Sequence, residues 1–293
     1  MIYTFVGGDD RQIEAMDILI EQGHFVKAYG FDKKKLISGV AEYDRIDEKC
    51  LQCDCLMLPI PCKNRHGGIN FKYSNQFLEV KQIMDALDES CVVILGKADA
   101  DFITHANKKG IVYFDILEEE SFAILNAIPS AEGAIQRAME KTNITLHGSS
   151  SLVLGYGRIG KVLSRMLKGI GAKVYVASRN QDDLAWIYEN GYVPVLLEDL
   201  DSVIPAQDII FNTIPHLILD HKRLSKVSKS TLIIDLASYP GGVDYEAAKS
   251  SGIEAYLELG LPGIVAPRTA GNIICQVTRE LIERVNSNRA ARR

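Results

Sequence analysis

The string "GYGRIG" puts Gly155, Gly157 and Gly160 directly after the apolar run "SSLVL" and at the head of the helical pattern "RIGKVLSRMLKGIG". A strand, a glycine turn and a helix in that order make a phosphate cradle. Gly155 permits the tight turn, Gly157 lets the backbone approach a pyrophosphate, and Gly160 lets the helix pack close to the strand. Tyr156, Arg158 and Ile159 complete the turn, and the amides and dipole at the helix start favour phosphate oxygens. The string alone is common. Its placement between a strand and a helix gives it weight.

The next strand, "KVYVAS", ends on Ser178 and is followed by Arg179. A site for NAD normally carries Asp or Glu at that strand end, accepting from the ribose hydroxyls. A serine hydroxyl does not repel an added phosphate, and a guanidinium can fork onto its oxygens. The pair therefore favours NADP. The competing reading is a solvent-facing arginine whose charge Asp182 and Asp183 absorb.

Farther on, "FNTIPH" ends a strand, and in a wound sheet Thr213, Ile214 and Pro215 then lie at the carboxyl edge over the nicotinamide half. His216 follows them as an exposed loop residue. "IIDLASYPGGVD" ends another strand and carries Asp235, Ser238 and the flexible pair Gly241 and Gly242.

These residues need a scaffold, and the hydrophobic periodicity supplies one. "IYTFVGG", "HFVKAYGFD", "CLMLPIP" and "CVVILGK" read as strands, alternating with the helical patterns "DRQIEAMDILIEQG", "NQFLEVKQIMDALDES" and "ADFITHANKKG". From Glu118 to Lys141 runs a long helical pattern with an expected break at "NAIPSAEG", because Pro129 disfavours helix at Ile128 and Ser130 can cap a new turn. Five strands follow in the second half, "SSLVLG", "AKVYVAS", "DIIFNTIP", "STLIIDLAS" and "GIEAYLEL". Alternating strands and helices imply parallel sheets covered on both faces.

The expected fold is therefore α/β, with two doubly wound parallel-sheet domains. Residues 1–145 with 268–293 form a flavodoxin-like substrate domain, and residues 146–267 a Rossmann dinucleotide-binding domain. The closing helix, with Ile273, Ile274, Val277, Leu281 and Val285 on one face, crosses back to the first domain.

A length of 293 residues suits two domains. A net charge of −5 argues against a nucleic-acid or anionic-membrane partner. No apolar run is long enough for a membrane helix, and the start reads as a strand, so a cytoplasmic protein is expected. Cys53, Cys55 and Met57 alternate as on the buried face of a strand, which is preferred over a metal knuckle or a disulfide, and no metal site is expected.

The segments "GGDDRQ", "NAIPSAEGAI", "LHGSSSLVLGYGRIGK", "FNTIP", "DLASYPGGVDY" and "GLPGIVAPRTAG" run in order from Gly7 to Gly271. With them the chain resembles the A-subunit family of dipicolinate synthase, from endospore-forming bacteria. The resemblance implies oxidation of dihydrodipicolinate to dipicolinate with NADP as acceptor. It also implies a partner, the flavoprotein-like B-subunit of dipicolinate synthase, and a role in the mother cell during sporulation. "IIDLASYPGG" and "LPGIVAPRTAG" also look like segments of alanine dehydrogenases, which move hydride at a carbon bearing nitrogen and a carboxylate. D-2-hydroxyacid dehydrogenases share the two-domain plan, but "ELGLPGIVAPRTAGN" lacks the histidine that they carry before the last helix.

A dicarboxylate substrate needs cationic donors. Arg11 is the first candidate, against a helix-start arginine paired with Asp9, Asp10 or Glu14. Lys97 and Arg268 are weaker ones. Ser130 and Glu132 are expected at an interdomain cleft, against a capping arrangement at a kink. Asp235 is expected to take the proton or to orient the nicotinamide, against a strand-end acid capping a turn. Two further readings stay open: an NADP-dependent imine or amino-acid dehydrogenase for another small carboxylate, and a non-catalytic protein that senses NADP(H) or scaffolds its partner. Homo-oligomerisation is compatible with each.

Overall fold

The computed structural model of the protein describes residues 1–291. The chain divides into two compact units, Met1–Leu125 with Ala266–Arg293, and Asn126–Val265.

In the first unit the elements are β1 (Ile2–Val6), α1 (Asp10–Glu21), β2 (Phe25–Tyr29), β3 (Val40–Tyr43), α2 (Glu48–Leu51), β4 (Cys55–Met57), α3 (Val80–Ala86), β5 (Val92–Leu95), α4 (Ala100–Lys109) and β6 (Val112–Asp115). α5 (Glu120–Lys141) follows. The six strands pair in parallel in the order β3-β2-β1-β4-β5-β6. Without β3 this is the flavodoxin-like order expected from the sequence; β3 adds a strand at the edge and turns it into the 3-2-1-4-5-6 order of dinucleotide-binding folds. β4 is fully buried because helices cover both faces of a parallel sheet.

Two sequence expectations change here. The helix expected over "NQFLEVKQIMDALDES" is confined to α3, since Ile69 N donates to the carbonyl of Leu78 and holds the preceding stretch as a loop. Only Cys55 and Met57 share a face of β4, with their sulfurs 3.6 Å apart, whereas Cys53 precedes the strand and lies 3.7 Å from the sulfur of Cys91.

The second unit continues with β7 (Ser150–Leu154), α6 (Arg158–Ile170), β8 (Lys173–Ser178), α7 (Gln181–Glu189), β9 (Val193–Leu196), α8 (Leu200–Val203), β10 (Ile209–Asn212), α9 (His221–Leu224), β11 (Leu232–Asp235), α10 (Tyr245–Ser250), β12 (Glu254–Leu257) and α11 (Leu261–Val265). Its six parallel strands run β12-β11-β10-β7-β8-β9, which is again 3-2-1-4-5-6 when counted from β7.

α12 (Pro267–Ala291) belongs to the first unit. Ile273, Ile274, Val277, Leu281 and Val285 are buried in the same core as Ile13, Met16 and Leu19 of α1. The two helices meet closely: a Cβ on Gly271 would stand 2.8 Å from the carbonyl oxygen of Arg11. A larger residue there would have to push the helices apart.

The expected break at "NAIPSAEG" is absent, because α5 runs unbroken through Pro129. An interior proline costs roughly 3 kcal/mol. Ala131, Ala134, Ile135 and Ala138 offset it by burial beside Leu146, Leu163 and Leu167 in the core of the second unit. The same packing draws this part of α5 into the second unit, so the junction falls at residues 125 and 126 and not at 145 and 146.

Candidate functional site

Three strand ends converge on the glycine turn. Gly155 N donates to the carbonyl of Ala177, and both the backbone N and the hydroxyl of Thr213 donate to the carbonyl of Leu154, at 2.9 and 2.8 Å. The ends of β7, β8 and β10 are thereby pinned together at the point where the strand order reverses, which is the ligand crevice of an open α/β sheet.

Each glycine meets a different constraint. Gly155 has φ +99°, and a Cβ there would stand 2.5 Å from Thr213 Oγ1. Gly160, in the first turn of α6, would place a Cβ 2.1 Å from the carbonyl oxygen of Gly155, so only glycine lets the helix sit on the turn. A Cβ on Gly157 would meet no heavy atom within 4 Å among the described residues. No packing within the protein demands a glycine there; a group arriving from outside would.

The cleft above the turn has a volume of about 510 Å³. It is lined by Gly155, Tyr156, Gly157, Ala177, Ser178, Arg179, Asn180, Asp183, Leu197, Thr213, Ile214, Pro215 and His216. The residues expected at the nucleotide are thus brought together, except that Arg158, Ile159 and Gly160 lie in the first turn of α6 outside this lining. The N-terminus of α6 supplies backbone amides and a positive dipole end, so the cradle fits a dinucleotide pyrophosphate.

Sequence reasoning passed over Asp183 as a site residue. Ser178 is buried, and its hydroxyl donates to Asp183 Oδ2 at 2.8 Å while accepting from Asn180 N at 3.2 Å. The strand-end serine therefore holds an acid of the following helix at the cleft. Burial raises the Tyr156 phenol, and the neighbouring Tyr192 and the charge of Asp183 push it the same way.

Asp235, at the end of β11, is fully buried. Its Oδ1 accepts from Asn212 Nδ2 at 2.9 Å and Ala237 N at 3.0 Å, and its Oδ2 from Gly242 N and Tyr245 Oη, both at 2.7 Å. Burial and the hydrogen bond to Asp235 push the Tyr245 phenol far up, so it stays a donor. Asn212 in turn accepts from Ile214 N at 3.0 Å and donates to the carbonyl of Ile214. Ile218 N and Leu219 N both donate to the carbonyl of Gly242. Asp235 thus sits behind the loop that carries Thr213, Ile214 and Pro215 and determines its course.

The other candidates are not among the residues that line this cleft. Ser130 is buried inside α5, where its hydroxyl donates to the carbonyl of Asn126, so it caps no helix start. Glu132 is exposed on the same helix.

Arg11 lies in the first turn of α1 in the first unit and is buried. Its Nε and Nη2 contact Asp9, with Nη2 at 2.8 Å, and Nη2 also donates to the carbonyl of Ile60. It ties the loop after β1 to the loop after β4. Between those loops lies a cleft of about 240 Å³ lined by Gly8, Asp9, Pro59, Ile60, Asn70 and Lys72, at the order reversal of the first sheet. Lys72 is the residue sequence reasoning missed there. Its Nζ reaches Asp10 at 2.5 Å, and Tyr73 Oη donates to the same carboxylate at 2.6 Å.

Lys97 follows β5 with φ +63°, steadied by its backbone N donating to Asp115. Arg268 is exposed, 3.6 Å from both Glu14 and Glu21. Among the described residues no three His, Cys, Asp or Glu side chains gather as a metal set, and no helix is long and apolar enough to cross a membrane.

Comparison with known proteins agrees with this geometry. Residues 3–117 match the N-terminal domain of the dipicolinate synthase A-subunit, and residues 125–241 match the NAD binding domain of D-isomer specific 2-hydroxyacid dehydrogenases. The chain therefore carries the nicotinamide-dinucleotide domain of an oxidoreductase family. An L-alanine dehydrogenase structure superposes with a TM-score of 0.65 at 13% identity, covering 96% of this chain and 89% of the other, a likeness of fold alone. The crystal structure of the dipicolinate synthase A-subunit from Bacillus halodurans superposes with a TM-score of 0.87 at 35% identity, covering 96% of this chain and 97% of that one. The A-subunit from Bacillus subtilis (strain 168) is 38% identical over 96% of each chain. With a matched N-terminal domain, a fitted dinucleotide cradle and full-length likeness to these two proteins, the chain belongs to the A-subunit family of dipicolinate synthase.

Proposed function

We propose that this chain is the NADP-linked component that oxidises dihydrodipicolinate to dipicolinate in a sporulating mother cell, working with the flavoprotein-like B-subunit. The observation that carries the reading is the glycine cradle, open at Gly157 and flanked by Arg179, in a chain that is similar to the dipicolinate synthase A-subunit over nearly its whole length.

In this reading the N-terminal amides of α6 hold the pyrophosphate and Arg179 meets the ribose phosphate. Thr213, Ile214 and Pro215 bound the nicotinamide half of the cleft, and Asp235 acts as a positioning residue through Asn212 and Gly242. Nicotinamide, when bound, supplies the hydride acceptor. Lys72 supplies a cationic donor for a substrate carboxylate at the cleft of the first unit, and Arg11 ties together the two loops that border it. Dihydrodipicolinate loses a hydride and a proton and becomes aromatic, so the protein's task is chiefly to hold the reactants in line.

The test uses the purified chain with NADP⁺ and freshly generated dihydrodipicolinate, with and without the B-subunit, following NADPH and dipicolinate together. Equal amounts of both products from this chain alone support the reading. Product that forms only with the partner, with no rise in NADPH, overturns it.

A further inference from the structure

We propose that Asp183 reads the adenosine ribose: its carboxylate accepts from the ribose hydroxyls in place of the acid absent from the end of β8, and with Arg179 it sets the choice between phosphorylated and unphosphorylated cofactor. This inference rests on the dinucleotide reading above.

The strand-end position cannot do this work itself. Ser178 has its proton on Asp183 and accepts from Asn180 N, so its one donor is spent inside the protein and it brings no charge to the ribose hydroxyls. What it achieves is to fix the rotamer of an acid that lies five residues later, in the first turn of α7. Asp183 is half-buried and lines the same cleft as Gly155, Gly157 and Arg179. Only Oδ2 is engaged by Ser178. The remaining oxygen is an acceptor at the end of the cleft where the sequence led one to expect a donor alone.

A carboxylate and a guanidinium that line one cleft act in opposite senses. The carboxylate attracts hydroxyl donors and repels phosphate, while the guanidinium does the reverse. An unphosphorylated ribose offers two hydroxyls to Asp183. A 2′-phosphorylated ribose offers one and places its phosphate on Arg179 against the repulsion of Asp183. The charge of Asp183 is felt within the cleft, since it adds to the upward push on Tyr156 after burial and Tyr192. A purely structural role, an acid favouring the positive end of α7, would leave the cofactor preference untouched.

Dissociation constants for NAD⁺ and NADP⁺, measured by calorimetry on the full chain and on Asp183→Asn, decide the matter. Loss of a charge-assisted acceptor should weaken NAD⁺ about tenfold to a hundredfold. For NADP⁺ the lost hydroxyl contact is offset by relief of repulsion, so its affinity stays level or improves. Ser178→Ala keeps the acid but releases its rotamer, and should shift the ratio the same way by less. Because the readout is a ratio on the folded fraction, partial loss of stability does not mimic it. Equal changes for both cofactors, or no change, overturn the assignment while the dinucleotide reading stands. A parent chain that binds neither cofactor overturns both.

Discussion

Asn212 and Asp235 stand opposite one another on the neighbouring strands β10 and β11, and the amide of Asn212 donates to the Asp235 carboxylate at 2.9 Å. One buried acid thereby governs two loops, the Ile214 loop through Asn212 and the Gly241–Gly242 turn through its other oxygen. Asp235→Asn would set amide hydrogens against donors already present. Each buried donor left without an acceptor costs about 1–3 kcal/mol. Thermal unfolding should show a lower midpoint, and dinucleotide affinity should fall with it as the loop loosens. A variant that melts like the parent but no longer turns over would assign Asp235 to proton transfer instead.

The glycines of the cradle should separate stability from binding. Gly160→Ala forces a Cβ against the Gly155 carbonyl oxygen, an overpacking of about 1–3 kcal/mol, and should lower the midpoint of thermal unfolding. Gly157 has φ −80° and open space around it, so Gly157→Ala should melt like the parent. Its methyl would occupy the approach of a pyrophosphate, and dinucleotide affinity should fall about tenfold or more. Titration calorimetry beside a melting curve checks both.

Arg179 is exposed at the rim of the cleft, where it is not needed for the fold. Arg179→Ala should leave unfolding unchanged and weaken NADP⁺ about tenfold to a hundredfold, with little effect on NAD⁺, because a charge-assisted contact contributes roughly 1.5–3 kcal/mol. Equal losses for both cofactors would place the arginine elsewhere than at the 2′-phosphate.

Acid should loosen the first unit through Asp10. Burial pushes its carboxyl up, but hydrogen bonds and charge from Lys72, Tyr73 and Lys34 outweigh that and hold it down at about 2. The unfolded chain then binds the proton more readily than the folded one. The stabilisation is complete above about pH 4 and is lost as the pH falls toward about 2. Asp10→Asn should flatten the pH dependence of unfolding in that window, measured by denaturant titration at successive pH values, and leave neutral-pH cofactor binding in the second unit unchanged.

The sequence by itself determined the parts that rest on local pattern. Glycine spacing after an apolar run specified the cradle, and all five apolar positions named on the last helix are buried with α1. These signals are legible because turn geometry and helical periodicity are written within a dozen neighbouring residues. The strands that escaped notice, β3, β6 and β9, are short edge strands with half-exposed patterns, such as the Val193–Leu196 segment. Half-covered edges need little continuous apolar character, so they leave a faint trace.

Tertiary structure alone decided how the polar groups are shared out. Pro129 looked like a helix break until the buried alanine row outweighed its missing hydrogen bond. Asp235 read as a proton acceptor or a group that orients the nicotinamide and Arg11 as a carboxylate clamp; the fold gives Asp235 the donors of Asn212, Gly242 and Tyr245, and Arg11 the acceptors of Asp9 and Ile60. Ser178 read as a strand end that does not repel an added phosphate, and its proton goes to Asp183. A buried polar group takes whatever donors and acceptors the fold brings within reach. Asn212 and Ile60 come from other strands and loops, and the partners nearer in sequence, Asp9, Asp183, Gly242 and Tyr245, are brought round by turns, so apolar pattern alone does not record the pairing.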